Sequence, residues 1–159
     1  MPNKIKPIPE GFHSATPGLC VVGADKAIEF YKKAFGATEL MRMPGPGGKI
    51  MHAEIKIGDS IIFISDEFPE MPNSCRAPQT LKGVSSAVYL YVNDVDATFA
   101  QAVKCGGKVN MPLTDMFWGD RYGQVQDPCG HIWALATHKE DLTPEQMKAR
   151  QEKQFAGAK

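Results

Sequence analysis

The sequence predicts an α+β fold made of two βαβββ modules in one chain. Three observations support this: each half holds a strand-like run, a helical run and several short strands; the two halves align with each other; and 159 residues suit one domain with a sizeable core. In such a module the helix covers one face of a curved sheet and the other face stays open. Two such sheets set side by side are expected to enclose a cleft.

The two central helices are predicted from apolar periodicity. The first spans 25–35 and stops at Gly36. Its apolar face consists of Ala27, Ile28, Tyr31, Ala34 and Phe35. The second begins after the cap residue Asp94 and stops at Gly106. Strand-like runs precede the helices at 18–22 and 87–92.

The halves superimpose with a fixed offset of 70 residues and no gaps, which identifies an internal repeat. The offset brings Gly36 onto Gly106, 51–56 onto 121–126, and 61–64 onto 131–134. Module one then covers about 14–70 and module two about 84–140, within a single domain spanning 1–140. Residues 68–83 are interpreted as the linker between two half-domains of one core.

Residues 141–159 are predicted to form a helical tail. Thr143 is a suitable N-cap, with Pro144 in the first turn and Gln146 three residues after the cap. The tail is mostly polar. We expect it to pack on its own domain or on a neighbouring subunit, and its few apolar positions make it a weak candidate for docking another partner.

The charge balance, the N-terminal residues and the cysteines bear on binding partners, location and thiol chemistry. The 18 basic and 18 acidic residues balance and are scattered, which gives no reason to expect a nucleic acid or an anionic membrane. The N-terminus lacks the apolar core of a signal peptide, so a cytoplasmic protein is expected. The four cysteines form no Cys-x-x-Cys pair, and reduced structural thiols are favoured over a disulfide or a catalytic role.

Several motifs resemble those of a known superfamily. Residues 27–36, Ala-Ile-Glu-Phe-Tyr-Lys-Lys-Ala-Phe-Gly, and 127–133, Asp-Pro-Cys-Gly-His-Ile-Trp, look like the vicinal oxygen chelate superfamily, which includes glyoxalase I, bleomycin-resistance proteins and extradiol dioxygenases. Further motifs resemble its PhnB-like branch: His52-Ala-Glu54, Gly58-Asp59-Ser60, Ser65-Asp66-Glu67, Asp115-x-Phe-Trp-Gly-Asp-Arg121 and Ala136-Thr137-His138. The resemblance covers about residues 14–140 and implies a homodimer that binds a small molecule.

The resemblance also implies a divalent metal held by His, Glu or Gln on the first and last strands of each module. The first-strand positions fall near Thr16 and near Ser86 or Ala87, and the last-strand positions near Ile64 and Ala134. Apart from weak hydroxyls, none of these is a usable ligand. We therefore expect no cofactor, and a divalent metal at another place stays an alternative.

His52 and Glu54 are the first candidate pair. They stand two apart in a strand pattern, so their side chains share one face of the sheet, and the offset places Tyr122 and Gln124 at the matching positions. If this face lines the cleft, the four groups can position a polar ligand, act as acid and base, or bind a metal. The alternative is an ordinary half-exposed sheet whose polar face is solvated.

The stretch 115–121 is the second candidate. Trp118 can stack on a flat ligand, and Arg121 offers a fork of donors to a carboxylate, phosphate or phosphonate, with Asp115 beside them. Alternatively, Asp120 or Asp115 pairs with Arg121 and Trp118 fills the core. The two interpretations are compatible.

His131 and His138 are interpreted as surface or capping histidines.

Two functions remain open from the sequence. The first is a small-molecule-binding protein without the usual metal, which holds an aromatic or anionic ligand. Its binding residues are Asp115, Trp118, Arg121, Tyr122 and Gln124, with His52 and Glu54. The second is a metal-dependent lyase or isomerase of the glyoxalase type that uses His52 and Glu54 as acid and base or as metal ligands.

Overall fold

The structure is a computed structural model that describes residues 5–156. Its strands are β1 (Gly18–Val21), β2 (Thr38–Pro44), β3 (Ile50–Ile57), β4 (Ser60–Asp66), β5 (Ala87–Tyr91), β6 (Lys108–Asp115), β7 (Asp120–Gln126) and β8 (Ile132–His138). Its helices are α1 (Ala24–Phe35), α2 (Pro78–Leu81), α3 (Val95–Lys104) and α4 (Pro144–Ala156), with a 3-10 turn at Pro46–Gly48. The predicted α+β class and the two four-stranded modules are confirmed.

The chain forms two compact units. The first extends to Ser85 and also contains Pro128–His131; its sheet has the order β1-β4-β3-β2. Strand β1 runs parallel to β4, and the other neighbours are antiparallel. Helix α1 packs on one face, where its apolar side chains meet every second residue of the strands. Fully buried members of this core are Ile28, Tyr31, Ala53, Ile55 and Ile64.

The second unit contains Ser86–Asp127 and the chain from Ile132 onward, and its sheet has the order β5-β8-β7-β6. Helix α3 packs against β6, β7 and β8. The side chains buried in this unit include Val95, Ala102, Val125, Trp133 and Leu135. As in the first unit, one face of the sheet carries the helix and the other is free of it.

The helix ends follow the predicted signals. Helix α1 ends at Gly36, which adopts the left-handed conformation that glycine tolerates. At α3 the Asp94 carboxylate accepts the Ala97 N–H at 2.9 Å. At α4 the Thr143 hydroxyl accepts the Gln146 N–H at 3.3 Å, and the Gln146 side chain accepts the Thr143 N–H at 2.9 Å. These two bonds form the predicted capping box.

The internal repeat is present, but the prediction of a gap-free offset is wrong within β6 and again beyond the last loop. The pairs keep an offset of 70 where β2 and β6 begin, since Thr38 faces Lys56 as Lys108 faces Gln126. Further along, Met43 faces His52, whereas Thr114 faces Tyr122, which is one residue later than the offset predicts. Glu54, however, faces Phe63, whereas Gln124 faces Ala134. Phe63 therefore matches Ala134 and not Trp133. The physical reason is one extra residue in the β7–β8 loop, which is longer than the Gly58-Asp59 turn.

Helix α4 is exposed along its described length. Its Arg150 contacts Glu140 at 2.6 Å, and the ring centroids of Phe155 and Phe117 are 6.4 Å apart. Among residues 5–156, none of the helices combines the length and the apolar character required to cross a bilayer.

Candidate functional site

The helix-free face of the second sheet carries a cluster of aromatic and polar side chains. Residues paired across neighbouring strands share a face. Tyr89 and Gln124 both face Ala134, while Tyr91 and Tyr122 both face Ala136. Asp120, which lies two residues before Tyr122 on the same face, is paired with His138. We call the seven side chains Tyr89, Tyr91, Trp118, Asp120, Tyr122, Gln124 and His138 the tyrosine face.

Asp120 is the centre of this cluster. Asp120 as a whole residue is only 2% exposed. Oxygen Oδ2 accepts hydrogen bonds from the Tyr91 hydroxyl at 2.9 Å, from the Tyr89 hydroxyl at 3.1 Å and from the Trp118 indole Nε1 at 3.1 Å. Burial by itself raises the pKa of Asp120, but these bonds and the one from His138 outweigh it and hold the pKa below its ordinary value. Asp120 is thus a buried anion at neutral pH.

His138 satisfies the other oxygen of Asp120. Its Nδ1 lies 2.8 Å from Asp120 Oδ1, and its Nε2 lies 3.0 Å from Asp141 Oδ1. An ionised carboxylate can only accept, so the two bonds together require a proton on each ring nitrogen. The hydrogen bonds to Asp120 and Asp141 accordingly raise the pKa of His138.

The rings on the tyrosine face follow one another at contact distance. Centroid separations are 4.9 Å from Tyr91 to Tyr89, 5.5 Å from Tyr89 to Tyr122, and 5.7 Å from Tyr122 to Trp118. Tyr89 is 44% exposed and Tyr91 is 61% exposed, although each hydroxyl is tied to Asp120. Ala134 and Ala136 leave room on this face, and Met111, Met116 and Trp118 pack beside them. The result is a wide aromatic surface with ordered rings.

Tyr122 and Gln124 lie together as the strand pattern predicted. The Gln124 amide donates to the Tyr122 hydroxyl at 2.6 Å, and its oxygen accepts from the Asn110 amide at 2.6 Å. Gln124 is therefore held in one orientation at the edge of the aromatic surface. It can present polar atoms to a ligand that stacks on the exposed Tyr89, whose ring lies against the buried Tyr122.

Arg121 is held in ion pairs on the helix side of the second sheet, and its expected role in ligand binding stays a prediction. Arg121 lies between Asp120 and Tyr122 on β7, so alternation directs it to the face that carries α3. There its Nε and Nη2 each contact Asp96 at 2.7 Å, and its Nη1 contacts Asp115 at 3.1 Å. The predicted Asp115–Arg121 pair is present. With two carboxylates on the guanidinium, Arg121 and Asp115 together bring no net positive charge to a ligand.

The turn before β7 is built around Gly119. Its carbonyl accepts the N–H groups of Lys139 at 2.9 Å and Glu140 at 3.1 Å, and its φ is +99°. A cavity of about 380 Å³ opens beside this turn. Its lining is mostly polar: Asp115, Met116, Gly119, Asp120, Arg121, Lys139 and Glu140.

His52 and Glu54 share the helix-free face of the first sheet. His52 Nε2 lies 3.4 Å from Glu54 Oε1, and the His52 ring packs edge-on against Phe63 with centroids 4.8 Å apart. Met43 and Met41 face them from β2. The imidazole and carboxylate are partly exposed and adjacent, so they can exchange a proton or offer two ligands to a cation.

The residues at the superfamily's metal positions do not fit a metal ion. Ile64 and Ala134 are buried and have no donor atoms, and Thr16, Ser86 and Ala87 supply at most hydroxyls. Within residues 5–156, no three His, Cys, Asp or Glu side chains are grouped so that they would hold one ion.

Tyr89, Tyr91, Asp120 and His138 were not among the predicted site residues. A signal for the first two is the Tyr89-Leu90-Tyr91 alternation, which puts two phenols on one face of a strand. The sequence suggests Asp120 as an ion-pair partner of Arg121 and His138 as a surface or capping residue. Their contact depends on the pairing of β7 with β8, which local sequence does not reveal.

Comparison with known proteins shows which family this chain belongs to. Residues 12–135 match the model of the Glyoxalase/Bleomycin resistance protein/Dioxygenase superfamily. The protein Mb0911c of Mycobacterium bovis is 40% identical over 143 residues, which cover 89% of this chain and 94% of that protein. The chain belongs to the glyoxalase/bleomycin resistance protein/dioxygenase superfamily.

Solved structures agree with this assignment. TioX from Micromonospora sp. ML1 is 28% identical, with a TM-score of 0.61 over 79% of this chain and 99% of its own. The Arabidopsis thaliana gene product At5g48480 is 26% identical, with a TM-score of 0.62 over 79% of this chain and 98% of its own. A PhnB protein from Bacillus cereus, at 19% identity and a TM-score of 0.60 over 79% and 99%, shares the fold.

Proposed function

We propose that the protein binds a small flat aromatic molecule on the tyrosine face. The observation that carries the proposal is the series of rings Tyr91, Tyr89, Tyr122 and Trp118 around one buried carboxylate. Two of these rings are exposed, although tyrosine normally buries much of its surface. Rings held by hydrogen bonds lose little freedom when a ligand stacks on them, which favours binding.

The charge around the rings favours a neutral or cationic ligand over an anionic one. The group of Asp120, His138 and Asp141 carries a net negative charge behind the phenols, because one imidazole lies between two carboxylates. The Tyr89 and Tyr91 hydroxyls donate to Asp120, which orients both rings. Arg121, the cation expected to attract an anion, is engaged by Asp96 and Asp115 on the other face of the sheet. A cation over a tyrosine ring also gains from the ring quadrupole.

Three tricyclic probes of similar shape test this proposal: proflavine as the cation, acridone as the neutral ring and acridine carboxylate as the anion. Titration calorimetry at neutral pH is expected to give proflavine and acridone roughly tenfold tighter binding than the carboxylate. Tyr89→Ala is expected to weaken proflavine binding about three- to tenfold. Val109→Ala, an exposed apolar position on the same sheet that pairs with the helix-side Val125, is the matched control and should bind normally.

If acridine carboxylate binds most tightly of the three probes, or if wild type and Tyr89→Ala bind proflavine equally well, the proposal is contradicted.

The homodimer implied by the resemblance stays a prediction. Sedimentation of the protein with and without proflavine measures it.

A second candidate function is a lyase or isomerase of the glyoxalase type. The contact between His52 and Glu54 favours it, because an imidazole next to a carboxylate can act as an acid–base pair or hold a displaced metal. Elemental analysis of purified wild type, His52→Ala and the control Lys56→Ala tests the metal form. Stoichiometric Ni, Zn, Mn or Fe that is lost only in His52→Ala would favour this candidate over a metal-free binding protein.

A further inference from the structure

Two of the four cysteines lie in contact within the first unit. The Cys20 thiol on β1 donates a hydrogen bond to the carbonyl oxygen of Cys75 at 3.3 Å. A residue's own Cβ lies about 3 Å from its carbonyl oxygen, so the Cys20 sulfur is roughly 6 Å or less from Cys75 Cβ. A disulfide requires about 3 Å between these atoms. A rotation of the Cys20 side chain together with a shift of the loop that carries Cys75 would cover the difference, after which rotation about the Cys75 Cα–Cβ bond aligns the two sulfurs.

The loop around Cys75 is held in this position from both sides. The Ser74 hydroxyl donates to the Phe68 carbonyl at 2.7 Å. After Cys75, the Ala77 N–H donates to the Glu67 carboxylate at 2.9 Å. Because Ser74 and Ala77 are hydrogen-bonded to the two residues that follow β4, the loop holds Cys75 near Cys20.

The two thiols differ in access to solvent. Cys75 is exposed, whereas Cys20 is 8% exposed. Burial, together with the nearby Cys75, Glu67 and Asp66, raises the pKa of Cys20 to about 11. A soluble oxidant therefore meets Cys75 first, and Cys20 remains protonated and reduced beside it.

We propose that Cys75 and Cys20 form a reversible disulfide when the protein meets a peroxide. In the first step the Cys75 sulfur attacks the peroxide, the O–O bond breaks, and Cys75 sulfenic acid and one molecule of alcohol or water form. In the second step the Cys20 sulfur attacks the sulfenic sulfur, and the Cys20 proton leaves with the hydroxyl as water. The two thiols together supply the two electrons that reduce the peroxide. A dithiol reductant reverses the change.

The test treats the full chain with stoichiometric hydrogen peroxide and measures intact mass, free thiols and linked peptides. Wild type is expected to lose two hydrogen atoms and two titratable thiols, and to yield a Cys20–Cys75 linked peptide that dithiothreitol releases. Cys75→Ser is expected to abolish this loss. Cys105→Ser, a cysteine at the end of α3 in the second unit, is the matched control and should oxidise like wild type.

A second variant distinguishes the order of steps. In Cys20→Ala the Cys75 sulfenic acid has no neighbouring thiol, so it should accumulate and be trapped by dimedone. The oxidised wild type should also have a higher melting temperature than the reduced form, because the cross-link restricts the unfolded chain. Four free thiols after treatment, over-oxidation of Cys75 in wild type, or only disulfides between separate chains would overturn the proposal.

Discussion

The indole Nε1 of Trp118 donates to Asp120 Oδ2 at 3.1 Å, so a ring on the surface of the sheet is fixed by a carboxylate beneath it. Asp120→Ala removes an acceptor shared with Tyr89 and Tyr91. We expect a loss of about 2–4 kcal/mol in the free energy of unfolding, measured by urea titration, because four hydrogen bonds to one ionised carboxylate are lost and partly buried donors lose their acceptor.

Asp141→Asn is the control for that experiment. Asp141 also contacts His138 but is fully exposed, so its substitution should change the unfolding free energy far less. Equal effects from the two substitutions would show that burial of Asp120 does not stabilise the tyrosine face.

The contribution of His138 to stability should depend on pH. Its folded pKa is raised by Asp120 and Asp141, so the stabilisation is fully present below the unfolded pKa of about 6.5 and is lost as the pH rises through the folded pKa. The melting temperature of His138→Gln should therefore fall furthest below wild type at about pH 5.5, and the gap should narrow above about pH 6.5. Differential scanning fluorimetry at several pH values measures it. If the difference between the melting temperatures of wild type and His138→Gln increases with rising pH, the predicted direction is wrong.

Substitution of Arg121 should leave probe binding unchanged. Its guanidinium is bound to Asp96 and Asp115 on the helix side of the sheet. Arg121→Gln is expected to lower the melting temperature slightly and to leave the proflavine and acridine carboxylate dissociation constants within error of wild type. Selective loss of acridine carboxylate binding would return Arg121 to the role of an anion receptor.

Gly119→Ala should be strongly destabilising. The φ of +99° disfavours any side chain, and an added Cβ would overlap the Glu140 carbonyl. We expect a loss of at least about 2 kcal/mol in the unfolding free energy. Gly18→Ala, at an open position without positive φ, should change it much less. If Gly119→Ala and Gly18→Ala have the same free energy of unfolding, the tight turn at Gly119 is not required for stability.

Much of the fold could be predicted because the spacing of apolar residues and the helix-cap residues indicate the helices and strands directly. Ala27, Ile28 and Tyr31 mark the buried face of α1, and Asp94 and Thr143 mark helix starts. The one-residue insertion after β7 could not be predicted, because few residue pairs in the repeat are identical. Only the observed pairing of Gln124 with Ala134 reveals it.

The site was harder to predict because its contacts are distant in sequence. Arg121 was compared with its neighbours Asp115 and Asp120, but its strongest partner is Asp96 on α3. Tyr91 meets Asp120 only because β5 and β7 both flank β8. Strand alternation did bring Tyr122 next to Gln124, and His52 next to Glu54, since each pair stands two apart on one strand.

The two tryptophans allow the most direct test of the proposed ligand surface. Trp118 lies on the tyrosine face, whereas Trp133 is fully buried and its Nε1 donates to Asp127 at 3.0 Å. In a ¹H–¹⁵N spectrum titrated with proflavine, the Trp118 indole signal should shift progressively to saturation while that of Trp133 stays in place. A saturating titration that leaves Trp118 unmoved, or moves only signals of the first unit, would contradict binding on the tyrosine face.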